Sequence, residues 1–187
     1  MTAEPAARER GLTQRALAGT GWSTLSTAGR QVLTIASVST VARLLGPDAY
    51  GLIGMAVIVT GFVSNFRDLG TAVAIIQRPT VSRSLLSSLF WINVLVGLTM
   101  FGVVSITAPL VADFFHTPGL TAILRVLSIA LLLASCGVVH SAILTRDMAF
   151  KPLGLIDLLA AFTSFVVALS GALAGWGVWS LVFAGVA

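Results

Sequence analysis

Charge is scarce in this sequence. Only 10% of its 187 residues are Asp, Glu, Lys or Arg, against about a quarter in soluble globular domains, which is too little for an ordinary water-exposed surface. A single cysteine, Cys136, excludes any disulfide within the chain; set inside an apolar run, it reads as a small core residue. The two histidines, His116 and His140, are isolated from each other and give no metal-ligand set, so no metal is expected. No serine or cysteine has an obvious general base. A P-loop and a dinucleotide fingerprint are both absent. No catalytic residue and no cofactor are therefore assigned, and the chain reads as non-enzymatic.

What is abundant is hydrophobicity: 57% of the residues are apolar and the mean hydropathy is +0.99. The reading is an all-α polytopic membrane protein of five transmembrane helices plus a truncated sixth. Residues 1–20 form an amino-terminal tail, mobile or a short interfacial helix. Residues 21–187 form the transmembrane part, with helices at about 21–45, 50–75, 85–111, 120–144 and 153–173 and a partial one at 176–187. Each of the first five is long enough for a hydrocarbon core of about 30 Å. The sixth would extend only about 18 Å, which reads as a truncation. Polar Ser23, Thr24, Ser26, Thr27 and Arg30 follow the tail arginines, so a cleaved signal peptide is not expected.

The connections carry turn and cap chemistry. Gly46 is expected to break the first helix and Asp48 to cap the second. The net charge of +4 comes from basic residues dispersed through short loops, a pattern of topology rather than of nucleic-acid binding. Three tail arginines, Arg78, Arg83, Arg146 and Lys151 fall on one side, and Arg43 and Arg125 on the other. The amino terminus is therefore expected in the cytoplasm.

Several polar residues sit where lipid should be. Ser23, Thr27, Arg30, Thr34 and Ser37 recur in steps of four and three, which puts them on one helical face. An arginine in the middle of that stripe is costly in hydrocarbon. It either lines a hydrated cavity or snorkels to the surface, and the hydroxyls either join it or bind helix to helix. In the second helix Thr60, Ser64, Arg67 and Thr71 repeat the pattern, with Asn65 and Asp68 on the adjoining face. Arg67 and Asp68 point about 100° apart, so each is expected to meet another helix, water or the interface. In the fifth helix Asp157, Ala161, Ser164, Ala168 and Gly171 share a face suited to close packing. Asp157 stands out there as an ion-coupling candidate or a partner for Arg30 or Arg67. Asn93 is expected to hydrogen-bond between helices.

The succession ARLLGPDAYGL, FRDLGTAVAIIQR, LFWIN, ITAPLVADFFHTP, ILTRDMAFKPLGLIDLLA and GWGVWSLV resembles the polysaccharide transporter (oligosaccharide flippase) family of the multidrug/oligosaccharidyl-lipid/polysaccharide exporter superfamily. The resemblance runs from about Trp22 onward. It implies one six-helix lobe, the amino-terminal one, of a two-lobe, alternating-access fold in the bacterial inner membrane. Members flip undecaprenyl-pyrophosphate-linked oligosaccharide for surface polysaccharides such as lipopolysaccharide and exopolysaccharide. The substrate is anionic and hydroxylated, so Arg30, Arg43, Arg67, Asp68, Ser23, Thr27 and Thr34 become the substrate-binding candidates. The implied partners are this lipid-linked substrate, membrane lipid, and a second lobe or a homodimer partner, without nucleic acid. Two alternatives stay open: a drug or small-molecule exporter of the same superfamily, and a non-transporting membrane scaffold for glycan assembly.

Overall fold

The computed structural model describes residues 3–65, 73, 75, 76 and 82–187, with side chains from Trp22 onward except that of Ser23. The described residues form six α-helices: α1 (Ala3–Leu45), α2 (Pro47–Asn65), α3 (Arg83–Phe114), α4 (Leu120–Arg146), α5 (Phe150–Leu173) and α6 (Val178–Val186). The fold is all-α and polytopic, and four of these helices, α2 to α5, are long and apolar enough to cross a membrane.

Helix α1 is not among the four, because its hydroxyl groups and arginines dilute its hydropathy. Its packing places it nevertheless. Trp22 Nε1 donates to the Lys151 carbonyl at 3.1 Å, Gly29 abuts Leu158, and Leu44 shares a groove with Leu173. Positions on the two helices rise together, so α1 and α5 run parallel and at the same depth. Among the described residues, α2, α3 and α4 are the candidate membrane helices between them in the chain.

The helix ends follow local chemistry. Helix α1 is one rod from Ala3, so residues 3–20 are helical rather than a separate segment; Ala-, Arg- and Leu-rich sequence with no interior proline after Pro5 favours continuation. At its far end Gly46 takes φ +79°, a left-handed conformation that glycine adopts without a Cβ clash, and its N–H reaches the Ala42 carbonyl at 3.1 Å. Pro47 then opens α2, where its missing N–H costs nothing. Asp48 therefore lies in the first turn of α2, where its charge faces the helix dipole, rather than at the cap. Ser82 caps α3, its Oγ accepting from Leu85 N at 3.2 Å. Lys151 and Pro152 are already in the first turn of α5, the one interior position that tolerates proline.

Helix α4 is the central one. Its buried positions Leu120, Leu124, Leu127, Leu131, Ser135, Val139 and Ala142 recur every three or four residues, and the helix meets α2, α3 and α6. By contrast Trp91, Leu95, Ile106 and Leu110 of α3 are 64–76% exposed, a face suited to lipid. Small residues set the two tightest crossings. A methyl group at Gly97 would come within 2.5 Å of Ser135 Oγ, and one at Gly154 within 2.7 Å of Ser26 Oγ and 2.9 Å of Trp22 Nε1. Gly154→Val is accordingly expected to push α1 off α5, at about 1–3 kcal/mol for overpacking. A melting curve of the purified protein measures this, and Ser26→Gly in the same chain should recover part of the loss.

Pro109 lies inside α3 and has no N–H to give the Ser105 carbonyl one turn earlier. Arg125 of α4 fills that place, its Nε donating to Ser105 O at 3.4 Å, beside a 3.3 Å contact between the Ser105 and Ser128 hydroxyls. A freed carbonyl within apolar surroundings needs such a donor. A double-mutant cycle of Arg125→Ala and Pro109→Ala should show a coupling of about 1 kcal/mol, the alanine at 109 restoring the helical donor and making Arg125 dispensable.

Candidate functional site

The stripe on α1 and the stripe on α5 meet. Because the two helices are parallel and in register, Arg30, Thr34 and Ser37 face Asp157, Ala161 and Ser164 across a cleft of about 400 Å³. Its third wall is the end of α6, with Ala184, Gly185 and Ala187. Ser164 Oγ donates to the Ala184 carbonyl and so ties α5 to α6 at the cleft. Thr34 Oγ1 turns back to the Arg30 carbonyl at 2.9 Å, and the half-buried Ser37 also lines the space.

Arg30 and Asp157 supply opposite charges to one cleft, yet among the described residues neither side chain makes a hydrogen bond or an ion pair. Both are solvent-accessible. The cleft thus offers five guanidinium donors, a carboxylate, and hydroxyl groups, with apolar Leu33, Val38 and Phe165 around them. Chemically this can hold a hydrated anion on Arg30, a cation on Asp157, or both with the charges compensated.

The other expected residues are distributed differently. Thr27 is exposed on α1 but does not line the cleft. Arg43 lines a separate groove with Ser39, Thr40, Leu44, Leu169 and Leu173. Thirteen residues separate it from Arg30, about 20 Å along the helix and some 220° around it, so helical phase alone divides the two arginines. Arg67 and Asp68, and the Ser23 side chain, lie outside the described residues. The α5 stripe divides in two: Asp157, Ala161 and Ser164 face the cleft, whereas Ala168 and Gly171 are buried, the glycine against Ser180 of α6. Asn93 is buried and donates to the Leu89 carbonyl of its own helix at 2.8 Å. His140 contacts the Cys136 carbonyl and the edge of Phe90, and no cluster of potential metal ligands forms among the described residues. The α6 wall was missed in the sequence; its signal was the run of small residues Ala184, Gly185 and Ala187.

Comparison with known proteins adds the following. Residues 40–187 match a family described as polysaccharide biosynthesis protein. Curated relatives include the lipopolysaccharide biosynthesis protein WzxC of Escherichia coli, 27% identical over 83% of this chain and 32% of its own length. The succinoglycan biosynthesis transport protein ExoT of Rhizobium meliloti is 28% identical over 87% of this chain and 33% of its own. The teichuronic acid biosynthesis protein TuaB of Bacillus subtilis is 27% identical over 82% and 32%. The chain thus spans about a third of the length of these relatives. No solved structure matches it.

Proposed function

We propose, for a chain that belongs to the polysaccharide biosynthesis protein family, that it serves the export of a lipid-linked oligosaccharide across the bacterial inner membrane during surface polysaccharide synthesis. The α1–α5–α6 cleft takes the pyrophosphate end of an undecaprenyl-pyrophosphate-linked glycan. The observation that carries this reading is Arg30, a guanidinium with no partner among the described residues, set in a hydroxyl-bearing cleft between membrane helices. Keeping such a charge in a membrane segment is costly unless water or an anion meets it, and a guanidinium suits phosphate oxygens in pairs.

Asp157 gives the cleft its second role. An anion approaching Arg30 enters the field of a carboxylate in the same space, so binding strengthens when a proton or a cation neutralises Asp157. Substrate capture and ion occupancy are then linked by one electrostatic term. The relatives are about three times as long as this chain, and alternating access needs two bodies to move against each other. The rest of a longer protein, a separate second lobe or a second copy would supply the other body. The decisive test is transport of a fluorescent undecaprenyl-pyrophosphate glycan by the full-length protein in liposomes; substrate translocation independent of the cleft side chains would refute the assignment.

The amino terminus lies in the cytoplasm in this reading, supported by the loop distribution of Arg and Lys. Green fluorescent protein fused after Arg83 should fluoresce, and alkaline phosphatase fused after Thr117 should be active. The reverse pattern would invert the topology.

A further inference from the structure

The second groove, on a different face of the α1–α5 pair, has its own polar chemistry. Ser39, Thr40 and Arg43 of α1 face Leu169 and Leu173 of α5 around a space of about 460 Å³. Several helical threonines turn their hydroxyls onto the carbonyl four residues earlier, Thr34 to Arg30, Thr60 to Ala56, Thr99 to Leu95 and Thr107 to Val103, whereas Thr27 and Thr121 show no such bond among the described residues. Thr40 does not form one either. Among the described residues Ser39, Thr40 and Arg43 make no hydrogen bond or ion pair, so two hydroxyls and a guanidinium share one groove with their capacity unused. The adjoining leucines are open, Leu44 at 49% and Leu173 at 69% exposure, and both stand in the last turns of membrane-length helices, where lipid headgroups meet acyl chains.

We propose that this groove binds an anionic phospholipid, its phosphate on Arg43 with the Ser39 and Thr40 hydroxyls, and an acyl chain along Leu169 and Leu173. Charge complementarity identifies the head, and the leucine wall identifies the tail. The location also separates a lipid from a free ion. The carbonyl ends of α1 and α5 both point to this side and carry partial negative charge, which disfavours a small anion that has nothing else to hold it. A lipid adds the burial of its chain. The inference stands apart from the transport reading, since it uses neither Arg30 nor Asp157.

The test uses the full-length protein in detergent, titrated in parallel with phosphatidylglycerol, phosphatidylcholine and inorganic phosphate, with bound lipid read by native mass spectrometry and stability by melting temperature. Phosphatidylglycerol should bind in preference and raise the melting temperature. Arg43→Gln should weaken its binding about tenfold, and Arg43→Lys less, while Arg83→Gln, at a residue that lines neither groove, leaves it unchanged. Arg43 is exposed, so the lipid-free melting temperature of the variant should match the parent. Undiminished phosphatidylglycerol binding by Arg43→Gln would overturn the proposal. So would equal binding of phosphatidylcholine, or stabilisation by inorganic phosphate as large as that by phosphatidylglycerol.

Discussion

Replacing Arg30 by alanine in the complete protein is expected to reduce surface polysaccharide to less than about a tenth while leaving membrane insertion and protein level unchanged. A hydrogen bond from a charged donor contributes about 1.5–3 kcal/mol, which corresponds to roughly ten- to a hundredfold in affinity. The side chain has no partner to abandon among the described residues, so its removal should not leave a buried carboxylate exposed to the low dielectric or destabilise the helix pair. Arg30→Lys keeps the charge but not the planar fork and should fall between. The measurement is surface polysaccharide by immunoblot beside the amount of protein in the membrane fraction. Wild-type polysaccharide from the alanine variant would remove Arg30 from the site.

Asp157→Asn is expected to separate binding from transport. Removing one negative charge from the Arg30 cleft should tighten capture of a pyrophosphate-bearing lipid by about 1–2 kcal/mol, roughly tenfold. Export should nevertheless fall, because the product is then held too well and the link to proton or cation occupancy is gone. Binding is read by titration of the purified protein, and translocation in liposomes with and without an imposed ion gradient. Lower affinity in Asp157→Asn, or unaltered dependence on the gradient, would show that the carboxylate does not act on the same anion. The double exchange Arg30→Asp with Asp157→Arg keeps the net charge of the cleft and tests whether position matters as well as sign.

Much of the architecture was legible in the sequence because lipid imposes a simple demand. Helices of at least about 20 apolar residues joined by short polar turns have few other fates, and α2 to α5 carry that pattern. Helix α1 was legible for a different reason: the three- and four-residue spacing of Thr27, Arg30, Thr34 and Ser37 marks one face even though its hydropathy is low. The boundaries were less legible. Gly46 ended the first helix where expected, yet α2 opens at Pro47 rather than after an Asp48 cap, and Asp48, Lys151 and Pro152 proved to lie within first turns, since cap and first-turn positions favour overlapping residue types.

The candidate site shows the same division. That Arg30, Thr34 and Ser37 share a face follows from 3.6 residues per turn, and that Asp157, Ala161 and Ser164 share another follows equally. The same arithmetic separates Arg43 from Arg30 by about 220°, and residue type alone had grouped them. Periodicity within a helix is a local property that the chain carries in itself. The pairing of two faces is not local: it depends on α1 running parallel to α5 at one depth, which Gly29, Gly154 and Ser26 allow by letting the backbones approach. Composition and spacing therefore determined an all-α membrane protein with charged and hydroxylated helix faces. Only the tertiary structure decided that Arg30 and Asp157 face one cleft and that Arg43 belongs to another, because register between helices more than a hundred residues apart is set by packing rather than by either helix alone.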